Sequence, residues 1–279
     1  MKNNSGRLSS FMIVIGIFFM LINSCGNKAS DKPNPKMDLN LYKKATATIA
    51  PPGLTYKIID KIPHDISAYT QGLIYFNDYL YESTGQYFES SIRKVNPATG
   101  DVLKKASIPD AYFGEGIAIF ENTIYMLTWQ SRQCMIINLE TFKIENTFSY
   151  SGEGWGLTDD GTSLIMSDGT NFLKFIDPSS RTVTKTVPVS FNSRPVSQLN
   201  ELEYIDGKIW ANIYNEDRIA VINPVTGNIE NIIDFSELRD FERGNPHAEV
   251  LNGIAYNKIT KEIYLTGKNW SYYYRIKIN

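Results

Sequence analysis

Five short segments of the chain align in register: 79–85 (YLYESTG), 123–129 (TIYMLTW), 163–169 (SLIMSDG), 208–214 (KIWANIY) and 262–268 (EIYLTGK). Their last residues lie 44, 40, 45 and 54 positions apart. A repeat of this length with strand-like content marks a β-propeller, because each unit can bury its apolar faces only by stacking on the next. The chain is therefore predicted to be all-β, a five-bladed β-propeller.

Each unit reads as four antiparallel strands. The first follows a short polar or glycine-containing turn, and a turn such as Asn77-Asp78 or Asp206-Gly207 leads into the aligned second strand. Third strands are apolar runs such as 92–95 and 219–222. Several close in Asn-Pro or Asp-Pro turns, as at Asn96-Pro97 and Asn223-Pro224. The fifth unit stops at Asn279, after its third strand, while the run 55–62 (TYKIIDKI) precedes the first unit and has no repeat of its own. The expectation is that this N-terminal strand completes the last blade and closes the ring, which removes the exposed edges of an open array. The longest interval is expected to hold a loop around 236–247, with 237–243 (ELRDFER) a solvated loop or short helix.

The start of the chain reads as targeting. Lys2 and Arg7 precede an apolar run, 11–22, that is too short to span a bilayer. The run ends in Leu21-Ile22-Asn23-Ser24-Cys25, which resembles the cleavage motif of bacterial lipoproteins. On that reading 1–24 is a lipoprotein signal peptide, Cys25 is the lipidated first residue, 25–53 is a flexible membrane tether and 54–279 is the propeller. The expected location is the bacterial cell envelope, facing the periplasm. A plain secretory signal with an incidental cysteine is the blander alternative. Besides Cys25 the chain has only Cys134, so no internal disulfide is expected once Cys25 is lipidated. Cys134 lies in a strand-like run and reads as an inert buried hydrophobe. Two histidines, His64 and His247, and one spare cysteine count against a His- or Cys-rich zinc site. A formal net charge of −2 supplies no footprint for nucleic acid.

In a propeller the first strands line the central channel, so equivalent positions converge on the axis. The first-strand position holds Gln71, Glu115, Trp155, Asn200 and Asn252. The second-strand end holds Gly85, Trp129, Gly169, Tyr214 and Lys268. Among these, Glu115 is the single acid. With Phe113, Trp129 and Trp155 beside it, its carboxyl would be desolvated and pushed toward neutrality, which suits proton transfer. Lys268, with Asn200 or Gln71, would stabilise an oxyanion. Tyr81, Tyr125, Trp210 and Tyr264 recur at one place of the repeat and read as packing between blades. Trp270 and 272–274 read equally as rim or core. A plug of channel residues satisfying one another remains an open reading of the same positions.

The motifs Tyr69-Thr70-Gln71-Gly72-Leu73, Glu82-Ser83-Thr84-Gly85, Phe113-Gly114-Glu115-Gly116, Leu199-Asn200-Glu201-Leu202-Glu203, Trp210-Ala211-Asn212-Ile213 and Leu251-Asn252-Gly253-Ile254-Ala255 together resemble the plant and bacterial type of glutaminyl cyclase, or glutamine cyclotransferase. The resemblance runs from about Tyr69 to Ile278 and implies a five-bladed propeller. It implies conversion of an N-terminal glutaminyl residue of a peptide into pyroglutamate with release of ammonia, without the zinc of the animal type and with no cofactor. Carried over by position, Glu115 would be the acid/base. Lys268, Asn200 and Gln71 would position the substrate amide and stabilise the oxyanion, and Tyr69, Phe113, Trp129 and Trp155 would form the aromatic pocket. Tyr214 stands where the family has Trp, a departure that bears on substrate preference. Two other readings stay open at this point. One is a non-enzymatic propeller lipoprotein that binds a peptide or envelope component. The other is a metal-dependent hydrolase, which needs several carboxylates around the axis where only Glu115 is clearly placed.

Overall fold

A computed structural model describes residues 54–279. The leader, Cys25 and the 25–53 tether lie outside the described residues. Strand β1 (Tyr56–Pro63) comes first. Blade 1 is β2 (Thr70–Phe76), β3 (Tyr79–Thr84), β4 (Ser91–Val95) and β5 (Val102–Ser107). Blade 2 is β6 (Gly114–Phe120), β7 (Thr123–Thr128), β8 (Gln133–Asn138) and β9 (Ile144–Ser149). Blade 3 is β10 (Leu157–Asp159), β11 (Leu164–Met166), β12 (Phe172–Asp177) and β13 (Thr182–Pro188). A hairpin that the repeat does not announce, β14 (Ser190–Phe191) and β15 (Arg194–Pro195), leads to blade 4: β16 (Leu199–Ile205), β17 (Lys208–Ile213), β18 (Arg218–Ile222) and β19 (Ile229–Asp234). Helix α1 (Ser236–Phe241) precedes the last blade, β20 (Leu251–Asn257), β21 (Glu262–Gly267) and β22 (Tyr272–Ile278).

Strand β1 pairs antiparallel with β22, from Tyr56 opposite Ile278 to Pro63 opposite Tyr272, so the last blade is completed by the start of the domain. A buried polar knot secures this joint. Glu82 on β3 accepts hydrogen bonds from Thr70 Oγ1 (2.7 Å) and Tyr273 Oη (3.2 Å), and pairs with His64 Nε2 (2.8 Å). Burial pushes the Glu82 carboxyl up, but the facing His64, Arg93 and Thr70 outweigh it and hold it below its usual range. Breaking such a buried pair from one side is strongly destabilising.

Tyr81, Tyr125, Trp210 and Tyr264 are buried in the packing between and within blades. Trp270, Tyr273 and Tyr274 belong to the core, and only Tyr272 of that run is exposed. Helix α1 is short, yet it is not merely solvated: Leu238 is buried, and Phe235 ahead of the helix meets Tyr56 with ring centroids 4.7 Å apart. Cys134 is a buried free thiol whose pKa burial pushes upward.

First strands crowd the axis closely. A Cβ on Gly72 would lie 2.7 Å from Ile117 N, one on Gly116 2.5 Å from Leu157 N, and one on Gly156 2.0 Å from Asn200 O. Each obstacle is the backbone of the next blade, which a rotamer change cannot relieve. Gly156→Ala is therefore expected to cost about 3 kcal/mol or more of stability, at or beyond the upper end for overpacking. Gly244→Ala, where nothing lies within 4 Å of the added atom, should stay within about 0.5 kcal/mol of the parent. Urea unfolding of the two variants checks the contrast, and equal stabilities would contradict it.

Candidate active site

The ladder of a blade breaks where the repeat places its distinctive residue. Pairing of first and second strands skips Gln71 between Thr70 and Gly72, and skips Glu115 with Gly116 between Gly114 and Ile117. The same irregularity holds Asn200 between Leu199 and Leu202, and Asn252 between Leu251 and Ile254. A bulge takes a side chain out of the regular alternation and re-aims it. Four blades thus turn a polar group toward one end of the channel. In blade 3 the ladder starts only at Leu157, and Trp155 precedes it, its N–H donating to Ser167 O at 3.1 Å.

Tyr69, Gln71, Phe113, Glu115, Trp129, Trp155, Asn200, Tyr214 and Lys268 line one cavity of about 260 Å³. This is slightly below the usual size of small-molecule sites. Asn252 sits one layer behind the lining. Its Nδ2 donates to Thr70 O (3.0 Å) and Gln71 Oε1 (3.4 Å), and Gln71 Nε2 in turn donates to Glu115 Oε1 at 3.2 Å. The second-strand glycines leave room for the walls themselves: a Cβ on Gly85 would strike the Phe113 ring at 2.3 Å, and one on Gly169 the Trp155 indole at 2.7 Å.

The walls form a girdle. Tyr69 meets Phe113 edge-on (centroids 6.2 Å apart), Phe113 meets Trp129 (5.6 Å), and Trp155 meets Tyr214 (5.5 Å). Lys268 Nζ lies 5.3 Å from the Tyr214 ring centroid and 4.7 Å from that of Tyr69, closing the circuit through the last blade. Tyr69 Oη donates to Glu249 Oε2 at 2.9 Å, which fixes the ring.

Inside this girdle Glu115 is only 5% exposed and Lys268 4%. Burial raises the Glu115 carboxyl well above its ordinary value, Lys268 pulls it partly back, and Glu153 adds to the rise. Burial lowers the Lys268 ammonium, opposed by Glu115 and Glu249. Both groups are thus biased toward their neutral forms.

Several features have no counterpart in the repeat reading. Gln86 also lines the cavity, in a backbone conformation with φ +87° that a bulky side chain seldom adopts. Glu153 and Glu249 brace the walls from loops. Glu115 is also not the sole acid along the channel, which corrects the expectation above. Glu201 Oε1 reaches across the axis to Leu73 N of blade 1 (3.2 Å), and Glu203 Oε1 accepts from Tyr256 N of blade 5 (3.0 Å). Burial raises Glu201 well above its ordinary value and Glu203 to about 8. Neither lines the cavity. Among the described residues, no three or more His, Cys, Asp or Glu are grouped so as to hold a metal ion.

A closed five-bladed ring with a lone acid and an ammonium in an aromatic mouth defines a narrow class of propeller. The family described as glutamine cyclotransferase matches residues 36–278, and the chain belongs to that family. A glutaminyl-peptide cyclotransferase of Arabidopsis thaliana is 35% identical over 266 residues, which cover 94% of this chain and 79% of the relative. The crystal structure of Myxococcus xanthus glutaminyl cyclase superposes with a TM-score of 0.76 at 32% identity, over 81% of this chain and 97% of that one.

The raised Glu115 pKa has a consequence for stability. The folded state holds a proton that the unfolded chain, with an ordinary Glu pKa of about 4.3, gives up. Wild-type stability should therefore fall as pH rises from that value toward the folded pKa. Glu115→Gln removes this dependence. The variant's stability relative to wild type should grow with pH over that window, by up to about 1.4 kcal/mol per unit. Parallel unfolding curves between acid and neutral pH measure the trend, and a flat difference would contradict it.

Proposed function

We propose that this protein is a glutaminyl-peptide cyclotransferase, converting N-terminal glutamine of peptides or proteins to pyroglutamate with release of ammonia. The observation that carries this reading is the desolvated Glu115 carboxyl facing Lys268 inside the aromatic girdle, in a chain of the glutamine cyclotransferase family. The α-amine of the substrate attacks the side-chain amide carbon of the same residue. One C–N bond forms, the bond to the departing nitrogen breaks, and a proton moves from the attacking nitrogen to the leaving one. Glu115 carries that proton. A carboxyl whose pKa burial raises above the ordinary carboxylate range can both accept and return that proton.

Lys268 and the amide of Gln71 stabilise the tetrahedral oxyanion. Asn200 positions the reacting amide: its Oδ1 is buried with no hydrogen-bond donor from the protein, which suits an N–H of the substrate. Phe113, Trp129, Trp155 and Tyr69 enclose the glutaminyl side chain and hold it folded back on its own amine, so that ring closure gains from proximity. Tyr214 keeps the stacking area of an aromatic wall and adds a hydroxyl, which tunes substrate preference rather than the reaction.

The same proposal places the enzyme in the bacterial cell envelope as a lipoprotein held by Cys25, its catalytic domain facing the periplasm. The basic start, the short apolar run and the Ser24-Cys25 junction support this.

Purified protein should release ammonia from a peptide beginning with Gln and not from its Asn-initiated counterpart. Glu115→Gln should lower kcat about 10²–10⁴-fold, the usual worth of a positioned acid/base. Near-wild-type turnover in that variant would end the mechanism. Absence of any ammonia from the wild type would favour a binding role for the channel mouth. For the anchor, Cys25→Ala should move the protein from the membrane to the soluble fraction. A mature wild-type N-terminus without acyl mass would overturn the lipoprotein assignment.

A further inference from the structure

The aromatic girdle has one gap, and a carboxylate fills it. Trp129 and Trp155 come from adjacent blades, and their indole N–H groups converge on a single atom: Glu153 Oε2 accepts from Trp129 Nε1 at 2.7 Å and from Trp155 Nε1 at 3.0 Å. Indole donates one hydrogen bond and accepts none, so each wall has its only polar anchor at this carboxylate.

The segment that carries Glu153 is built to stay put. Gly152 has φ +88°, which favours glycine, and a Cβ on Gly154 would lie 2.1 Å from Tyr150 Oη. Gly154 N donates to Trp129 O at 3.2 Å, and Gly116 N donates to Trp155 O at 2.7 Å. The backbone of blades 2 and 3 is thus stitched on both sides of the acid, and Glu153 has little freedom to follow a displaced indole.

We infer that Glu153 is a positioning residue for the cyclisation: through one oxygen it sets the separation of the two indole walls that clasp the glutaminyl side chain. The inference rests on the reading above that Trp129 and Trp155 hold the substrate.

Two substitutions test the shared acceptor. Glu153→Gln keeps a carbonyl oxygen able to accept from both indoles. Its KM for a Gln-initiated peptide should stay within about threefold of wild type. Glu153→Ala leaves both indoles without their partner. Its KM should rise about tenfold or more, equivalent to about 1.4 kcal/mol of lost binding, and tryptophan emission should change in the absence of substrate. If Glu153→Ala does not fold, the Gln variant alone decides: a KM raised as in a wall deletion overturns the claim that the shared acceptor is what matters. Wild-type KM and wild-type emission in Glu153→Ala overturn the positioning role. An inactive wild type would instead count against the cyclotransferase reading, so the two failures are distinguishable.

Discussion

The structure depends on how closely five strands approach one axis. At the residue that follows the distinctive position in blades 1 to 3, the next blade's backbone lies within 2.0–2.7 Å of where a Cβ would stand on Gly72, Gly116 or Gly156. At the last blade Gly253 takes φ +122°, a conformation that favours glycine. Blade 4 carries Glu201 at this place instead, and its buried carboxylate accepts from Leu73 N of blade 1. Close approach is what brings Gln71, Glu115, Asn200 and Lys268 to one small cavity, although they are spread over nearly 200 residues of chain. Covering the edge strand of the last blade with β1 makes the arrangement a closed ring, so no blade can drift outward without breaking a ladder.

The chemistry of the mouth follows from desolvation outweighing attraction. Glu115 and Lys268 are both buried at the same cavity, and each favours the other's charged form. Burial still wins on both sides: the acid is raised and the ammonium lowered. Contrast Glu82, equally buried, where His64, Arg93 and Thr70 together outweigh the same penalty. The difference lies in the number and proximity of partners. Glu82 has Thr70, His64 and Tyr273 at 2.7–3.2 Å and the Arg93 guanidinium at 3.9 Å, whereas Glu115 has a single amide at 3.2 Å. One carboxylate is a structural anion. The other is left with its proton affinity raised well above that of an ordinary carboxylate.

The fold was legible because strand, turn and period agree in four of the units. Asn77 and Asp78 both take positive φ in the first hairpin, the behaviour expected of such residues in a tight turn. Blade 3 was less legible in detail: β10 and β11 are three residues each, because Trp155 and Gly156 are used for the wall and the close approach before the ladder begins. The hairpin β14–β15 and helix α1 occupy linkers with no counterpart elsewhere, so the repeat carried no information on them. The same reason hid Gln86, Glu153 and Glu249. Each sits on a loop beyond the aligned segments, and nothing in its spacing marks it. Trp270 was ambiguous because an indole near a chain end suits rim and core alike. Its Nε1 donates to Glu249 O at 2.9 Å, a backbone partner the sequence does not display.

A propeller suits a reaction with little covalent work for the protein to do. In the proposed cyclisation the nucleophile, electrophile and leaving group all belong to one residue of the substrate. The protein has to fold that residue, move a proton within it, and keep water from attacking the same amide carbon. A cavity of about 260 Å³ suits a single side chain folded back on its own amine. Because each blade supplies one element of the enclosure, a shift of any blade misplaces one group relative to the rest, and a misplacement of about 1 Å is enough to cost about a hundredfold in rate. The stitched backbones around Gly116, Gly154 and Trp155 therefore belong to the same argument as the acid itself: they keep the separate blades in step.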